Sequence, residues 1–131
     1  MKEKTTLHHV ALQCFDRQKA EIFFTKILGL PKVKNFTLSD DLSDSIFGIK
    51  SSVEIDVYED GTTRFEVFID SSGKKTGYEH TCIEVTNRKE FISRCKKYGI
   101  EPAVIKKEGK DLLFVMDFSG NLFEVKEKQK P

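Results

Sequence analysis

The sequence has no apolar run that approaches the roughly 18 residues of a membrane-spanning helix. Its first residues, 1–6, are polar and lack the apolar stretch of a signal peptide. Its three cysteines, Cys14, Cys82 and Cys95, are odd in number and show no CxxC spacing, which is typical of reduced thiols. We therefore expect a cytoplasmic protein.

An excess of charge of either sign is also missing. The 22 basic and 21 acidic residues give a net charge of +1 and are spread along the whole chain. This balance indicates neither a nucleic acid nor a membrane surface as a partner. With 131 residues the chain is one domain's worth, residues 1–131, and needs neither disulfides nor a metal merely to fold.

The first half of the chain predicts a strand, a helix and three more strands. Residues 7–14 alternate between apolar and polar side chains, as in a half-buried strand. Asp16 is placed to cap a helix that ends at Gly29. The remaining strands are predicted over residues 32–38, 45–59 and 62–69, with an acidic Ser/Asp loop over 39–44.

The same order begins again after a linker-like stretch, residues 70–77. A strand is predicted over residues 78–85, followed by a helix capped by Asn87 and closed by Gly99. Three more strands are predicted over residues 102–106, 112–116 and 122–126. The pattern predicts an α+β protein of two β-α-β-β-β modules, about 7–70 and 77–127, forming a curved mixed sheet.

Each module carries one histidine on its first strand and one glutamate on its last. His9 and His80 stand at nearly the same distance before Gly29 and Gly99, and each module ends in the tripeptide Phe-Glu-Val. A duplicated module places equivalent residues about a pseudo-twofold axis, so the four side chains can converge. Two imidazoles and two carboxylates suit Zn²⁺, Ni²⁺, Co²⁺ or Mn²⁺. We predict one divalent metal ion held by four residues: His9, Glu66, His80 and Glu124.

Taken singly, each of these residues is explained as an ordinary sheet residue, and only their paired recurrence favours metal binding. His8 has no counterpart in the second module and points away from His9, so we interpret it as structural or as exposed at a sheet edge. Cys82 shares the face of His80, but Ala11 occupies the matching position. We therefore expect Cys82 to be a small buried residue and not a ligand.

The chain resembles the vicinal oxygen chelate superfamily, which includes glyoxalase I, methylmalonyl-CoA epimerase, extradiol dioxygenases and fosfomycin or bleomycin resistance proteins. The resemblance rests on HHVAL at residues 8–12, FFTKILGLP at 23–31 and MDFSGNLFEV at 116–125. It implies paired modules around a metal-binding cleft. It also implies a homodimer, because single-domain members commonly assemble the site where modules meet.

The set His/Glu/His/Glu is the pattern of glyoxalase I, a lactoylglutathione lyase. The resemblance implies a lyase or isomerase that uses enediolate chemistry on a small α-hydroxy or α-keto compound or its thiol adduct. The first candidate for the catalytic base is Glu124, and the second is Glu66. Classical members have an arginine where this chain has Gln13, so the identity of the thiol, if one is used, is left open. Arg64 could bind an anionic group of the substrate instead.

Two other functions compete with this one. A binding protein of the same fold would sequester a drug or metabolite with no catalytic metal. A dioxygenase of the same fold would use two histidines and one glutamate. An unrelated α+β domain, such as a ferredoxin-like one, is disfavoured by the predicted strand count of eight.

Overall fold

The computed structural model describes residues 8–72, 80–107 and 109–128. The strands within this part are Val10–Cys14 (β1), Lys32–Leu38 (β2), Val53–Glu59 (β3), Arg64–Ile69 (β4), Thr81–Val85 (β5), Ala103–Lys107 (β6), Lys110–Met116 (β7) and Leu122–Glu127 (β8). The helices are Arg17–Glu21 (α1), which continues as the π-helical segment Ile22–Ile27, then Asp40–Phe47 (α2) and Arg88–Lys97 (α3).

The strands form two four-stranded sheets with the same internal order. The first sheet is β1-β4-β3-β2 and the second is β5-β8-β7-β6. In each sheet the first strand of the module pairs in parallel with the last, and the other neighbours are antiparallel. The predicted α+β class with two repeated modules is confirmed, and each module has its own mixed sheet.

The helix that follows the first strand is capped in the same way in both modules. Asp16 Oδ1 accepts a hydrogen bond from Lys19 N at 3.0 Å, and Asn87 Oδ1 accepts one from Glu90 N at 3.0 Å. Both side chains satisfy a backbone N–H group that has no partner inside the helix. The two predicted caps are confirmed.

Both modules contribute to one hydrophobic core. The Phe23 ring of the first module lies 5.1 Å from the Phe123 ring of β8, measured between centroids. Arg94 Nε of α3 also donates a hydrogen bond to the Ile27 carbonyl at 3.1 Å. The fully buried side chains of this core include Phe23, Phe24, Tyr58, Phe65, Val67, Phe91, Cys95, Phe123 and Val125.

The prediction for the segment between β2 and β3 is wrong. Residues 39–44 do not form a loop, because α2 begins at Asp40 after Ser39, whose hydroxyl accepts a hydrogen bond from Leu42 N. Two aspartates in the first turn stabilise this helix, because their negative charges lie near the positive end of its dipole. The strand predicted from residue 45 therefore begins only at Val53.

Other strand bounds differ from the predictions by a few residues. Residue 7 and residues 78–79, which were assigned to the first strand of each module, lie outside the described residues, as do linker residues 73–77. In the described ranges no helix is both long and apolar enough to cross a membrane.

Candidate metal centre

In the first module, the sheet register brings His9 and Glu66 together. His9 lies just before β1, and Ala11, two residues later, pairs with Glu66 in the parallel ladder between β1 and β4. His9 Nδ1 is 3.6 Å from Glu66 Oε2. Both side chains are partly buried, with exposed fractions of 35% and 16%.

The second module repeats this arrangement. Cys82, two residues after His80, pairs with Glu124 in the parallel ladder between β5 and β8. His80 Nε2 lies 3.9 Å from Glu124 Oε1. The equivalent register in the two modules therefore produces two equivalent histidine–glutamate pairs.

The two pairs lie on sheet faces that point away from the shared core. Glu66 stands between Phe65 and Val67, and Glu124 stands between Phe123 and Val125, all four of which belong to that core. Successive side chains of a strand point to opposite faces, so both glutamates are directed outward. Accordingly, in residues 8–72, 80–107 and 109–128 no three His, Cys, Asp or Glu side chains are grouped to hold a metal ion.

Each pair fits half of a divalent metal site. Two ligands on a tetrahedral ion with bonds of about 2.1 Å lie about 3.4 Å apart, and the nitrogen–oxygen distances of 3.6 Å and 3.9 Å are close to this. Imidazole nitrogens and carboxylate oxygens are ligands for borderline and hard divalent cations. The donors therefore fit such an ion, provided that two pairs meet.

Arg64 distinguishes the first pair from the second. Its Nε and Nη2 atoms donate to Glu66 Oε2 at 3.2 Å and 3.1 Å, and its Nη1 atom donates to Glu59 Oε1 at 2.6 Å. These hydrogen bonds, first with Glu59 and then with Glu66, raise the pKa of Arg64. The guanidinium is directed to two carboxylates, and the matching position two residues before Glu124 is Leu122.

A cavity of about 440 Å³ adjoins the outward face of the first sheet. Gln13 lines it, and its Nε2 atom donates to Asp70 Oδ2 at 3.0 Å. Phe68 forms an apolar wall, while Ser43 of α2 and Ile49 contribute from the segment that precedes β3. The contribution of α2 to this cavity was not predicted, because residues 39–44 were expected to form a loop.

The expectation that Cys82 is buried is wrong, because its side chain is exposed on the outward face of the second sheet. Desolvation, and then the Glu124 carboxylate, raises the pKa of the Cys82 thiol, which disfavours the nucleophilic thiolate. The expectation that His8 points away from His9 is wrong, because its exposed ring approaches that of His9, with the two Nδ1 atoms 2.7 Å apart. None of the three cysteines forms a disulfide.

Two repeated β-α-β-β-β modules, each with a histidine next to its first strand and a glutamate on its last, are the arrangement expected of the vicinal oxygen chelate class of proteins. The family model of the Glyoxalase/Bleomycin resistance protein/Dioxygenase superfamily matches residues 8–115. The chain belongs to this superfamily. No curated protein matches the chain significantly by sequence.

Solved structures share this fold over nearly the full length of both chains. A glyoxalase family protein from Bacillus cereus has a TM-score of 0.72 at 20% identity, covering 98% of this chain and 97% of that one. A glyoxalase family protein from Enterococcus faecalis has a TM-score of 0.69 at 21% identity, with coverages of 92% and 95%.

The fosfomycin resistance protein FosX from Listeria monocytogenes has a TM-score of 0.70 at 17% identity, with coverages of 97% and 96%. One crystal structure of the Listeria protein is complexed with Mn(II) and a sulfate ion. At these identities the likeness establishes the fold.

Proposed function

We propose that the chain is a divalent-metal-dependent lyase or isomerase of the glyoxalase I type, acting on a small α-hydroxy or α-keto compound or its thiol adduct. The observation that carries this proposal is the recurrence of one histidine–glutamate pair in each module, at 3.6 Å and 3.9 Å. His9, Glu66, His80 and Glu124 would hold one ion, Zn²⁺ or Ni²⁺ first and Co²⁺ or Mn²⁺ as alternatives. The Mn(II) complex of the Listeria protein supports a divalent metal in this fold.

Glu124 is the proposed base, and Glu66 is the second candidate. A positioned carboxylate can take an α-proton from the substrate and return it to the adjacent carbon. In the described part of the chain the only ion pair of Glu124 is with His80, whereas Arg64 engages Glu66. A bound divalent cation would polarise a carbonyl or hydroxyl oxygen of the substrate.

A second copy of the chain would complete the site. The two pairs lie on outward sheet faces, so the first pair of one chain can meet the second pair of another only if the first sheet of one protomer faces the second sheet of its partner. Exposed apolar side chains around the Glu124 pair, Ile105 and Met116, support contact with another protein surface. We therefore propose a homodimer with two shared metal sites.

A complementation experiment tests this arrangement. One variant, His9→Ala/Glu66→Gln, lacks the first pair, and the other, His80→Ala/Glu124→Gln, lacks the second. Neither variant alone should bind metal tightly, but a mixed dimer made by co-expression would contain one intact pair from each chain. Elemental analysis and competitive titration should then show that tight Zn²⁺ or Ni²⁺ binding returns in the mixed dimer.

If the native protein binds metal tightly but the mixed dimer does not recover binding, the shared site is contradicted, whereas metal binding itself is not. If the native protein binds none of the four ions, the lyase or isomerase proposal is wrong. If the native protein binds metal, with or without recovery in the mixed dimer, turnover of hemithioacetals and α-hydroxyketones would be measured next.

The second candidate function is a binding protein that sequesters a drug or metabolite. The observation that favours it is the cavity beside Gln13 and Phe68, because its volume of about 440 Å³ falls in the usual range of ligand pockets. Small-molecule binding by metal-stripped protein, unchanged when Glu66→Gln and Glu124→Gln are combined, would favour this function over catalysis.

A further inference from the structure

The two histidine–glutamate pairs are equivalent in register but differ in their cationic neighbour. We infer that Arg64 makes Glu66 the weakest and most easily displaced of the four proposed metal ligands. This inference rests on the proposed function, because it concerns how the site holds its ion. It assigns to Arg64 a positioning role that the module repeat does not share, since Leu122 occupies the equivalent place.

The contacts of Glu66 support this role. Two nitrogen atoms of Arg64 donate to Glu66 Oε2, the same oxygen that lies 3.6 Å from His9 Nδ1. Hydrogen bonds from a guanidinium to a carboxylate are among the strong ones in proteins. A cation that binds beside His9 must therefore compete with the guanidinium for Oε2, and it also experiences the positive charge of Arg64.

Arg64 is fixed in this position from its other side. Glu59 is its direct neighbour across the β3–β4 ladder, and Glu59 Oε1 accepts from Nη1 at 2.6 Å. The guanidinium thus bridges two carboxylates, and only 24% of the side chain is exposed. A guanidinium bound by two carboxylates cannot easily turn away from Glu66.

The two glutamates would therefore differ in how firmly they hold the ion. Glu124 would remain a firm ligand or base, as no described arginine contacts it. Glu66 would leave most readily when a substrate oxygen requires its place, because Arg64 can take up the negative charge of the released carboxylate. Such a ligand would hold its position on the ion in the absence of substrate and would yield it to a substrate oxygen.

A double-mutant cycle on metal affinity tests the inference without measuring activity. Glu66→Gln and Glu124→Gln are compared in the native chain and in an Arg64→Leu chain, which copies the residue found at position 122. The dissociation constant for Zn²⁺ is measured by competition with a chromophoric chelator. Glu59→Gln is the matched control, because it removes one carboxylate contact of Arg64 and leaves the contact with Glu66.

In the native chain, Glu124→Gln should weaken Zn²⁺ binding by about a hundredfold and Glu66→Gln by less than about tenfold. Arg64→Leu alone should tighten binding by about tenfold, because it removes a positive charge beside the ion and a competitor for Glu66 Oε2. In that chain the two glutamine variants should become equally costly. Glu59→Gln should tighten binding much less than Arg64→Leu, because Arg64 keeps its charge and both hydrogen bonds to Glu66. If Arg64→Leu fails to fold, Arg64→Gln replaces it with the same expected tightening.

Equal losses for the two glutamine variants in the native chain would overturn the inference, as would an unchanged affinity on replacing Arg64. Both results would leave metal binding by the four residues intact. A native chain that does not bind Zn²⁺, Ni²⁺, Co²⁺ or Mn²⁺ would overturn the inference together with the proposed function.

Discussion

At the scale of single residues, Asp56 is the most deeply buried charged side chain in the described part of the chain. Its side chain is fully buried on β3, facing the helices. Arg17 Nε donates to Oδ2 at 2.9 Å, Asn35 Nδ2 donates to Oδ1 at 2.7 Å, and Lys32 Nζ lies 3.4 Å from Oδ2. A buried carboxylate is tolerated because such partners replace water.

Removing this carboxylate should destabilise the fold. We expect Asp56→Ala to lower the free energy of unfolding by about 2–3 kcal/mol, because it leaves Arg17, Lys32 and Asn35 without their acceptor. The loss is limited because Arg17 is 40% exposed and can be hydrated. Urea denaturation measures the change, with Glu101→Ala, at an exposed position, as the control. A loss as small as that of the control would contradict this account of Asp56.

At the scale of elements, the first helix of each module begins with the same device at the same place. Asp16 and Asn87 each stand one residue before a helix and accept a hydrogen bond from the N–H group three residues later. α3 also has basic residues in its last turn, which complement the negative end of the helix dipole. Local sequence therefore fixes where these helices start.

The cap of α3 gives a prediction for this scale. Asn87→Ala should lower the free energy of unfolding by about 1 kcal/mol, because Glu90 N loses its acceptor. Asn87→Asp should retain nearly the full stability, since aspartate accepts the same hydrogen bond. Thermal or urea unfolding distinguishes the two variants, and equal stability of the alanine and aspartate variants would show that the cap contributes little.

At the scale of the whole molecule, the two sheets share a core on one side and leave their other faces outward. The face of Glu124 continues through Phe114, which pairs with it, to Leu112 and its neighbour Ile105. Ile105 is 49% exposed on this face. Val104, one residue earlier, is 48% exposed but pairs with buried Leu113 and belongs to the opposite face.

These adjacent residues form a matched test of the proposed dimer. Ile105→Lys should shift the protein toward the monomer, because it places a charge in the face that a partner would cover. Val104→Lys should change the molar mass in solution much less, since Val104 is as exposed as Ile105 but lies on the opposite face of the sheet. Size-exclusion chromatography with light scattering gives the mass, and circular dichroism verifies folding. An identical mass distribution for both variants would argue against this face as the interface.

Much of the fold could be predicted because its signals are local. Alternation placed Leu12 and Val67 inside, the caps placed Asp16 and Asn87 at helix starts, and the repeated Phe-Glu-Val placed Glu66 and Glu124 at equivalent positions. α2 was missed because its cap, Ser39, stands in a run of serines and aspartates whose composition is typical of a loop. Helix formation there depends on capping geometry more than on composition.

The sequence by itself determined the two-module α+β fold, the four predicted ligands and the family resemblance, because periodicity and repetition are properties of the chain. Only the tertiary structure decided that the four predicted ligands meet as two separate pairs, because the modules pack their apolar faces into one core and turn their histidines and glutamates outward. It also decided that Glu59 of β3 holds Arg64, which alternation along β4 already places on the face of Glu66, and that Asp56 is buried. These contacts join residues from different strands and helices, and strand alternation alone does not specify which of them touch.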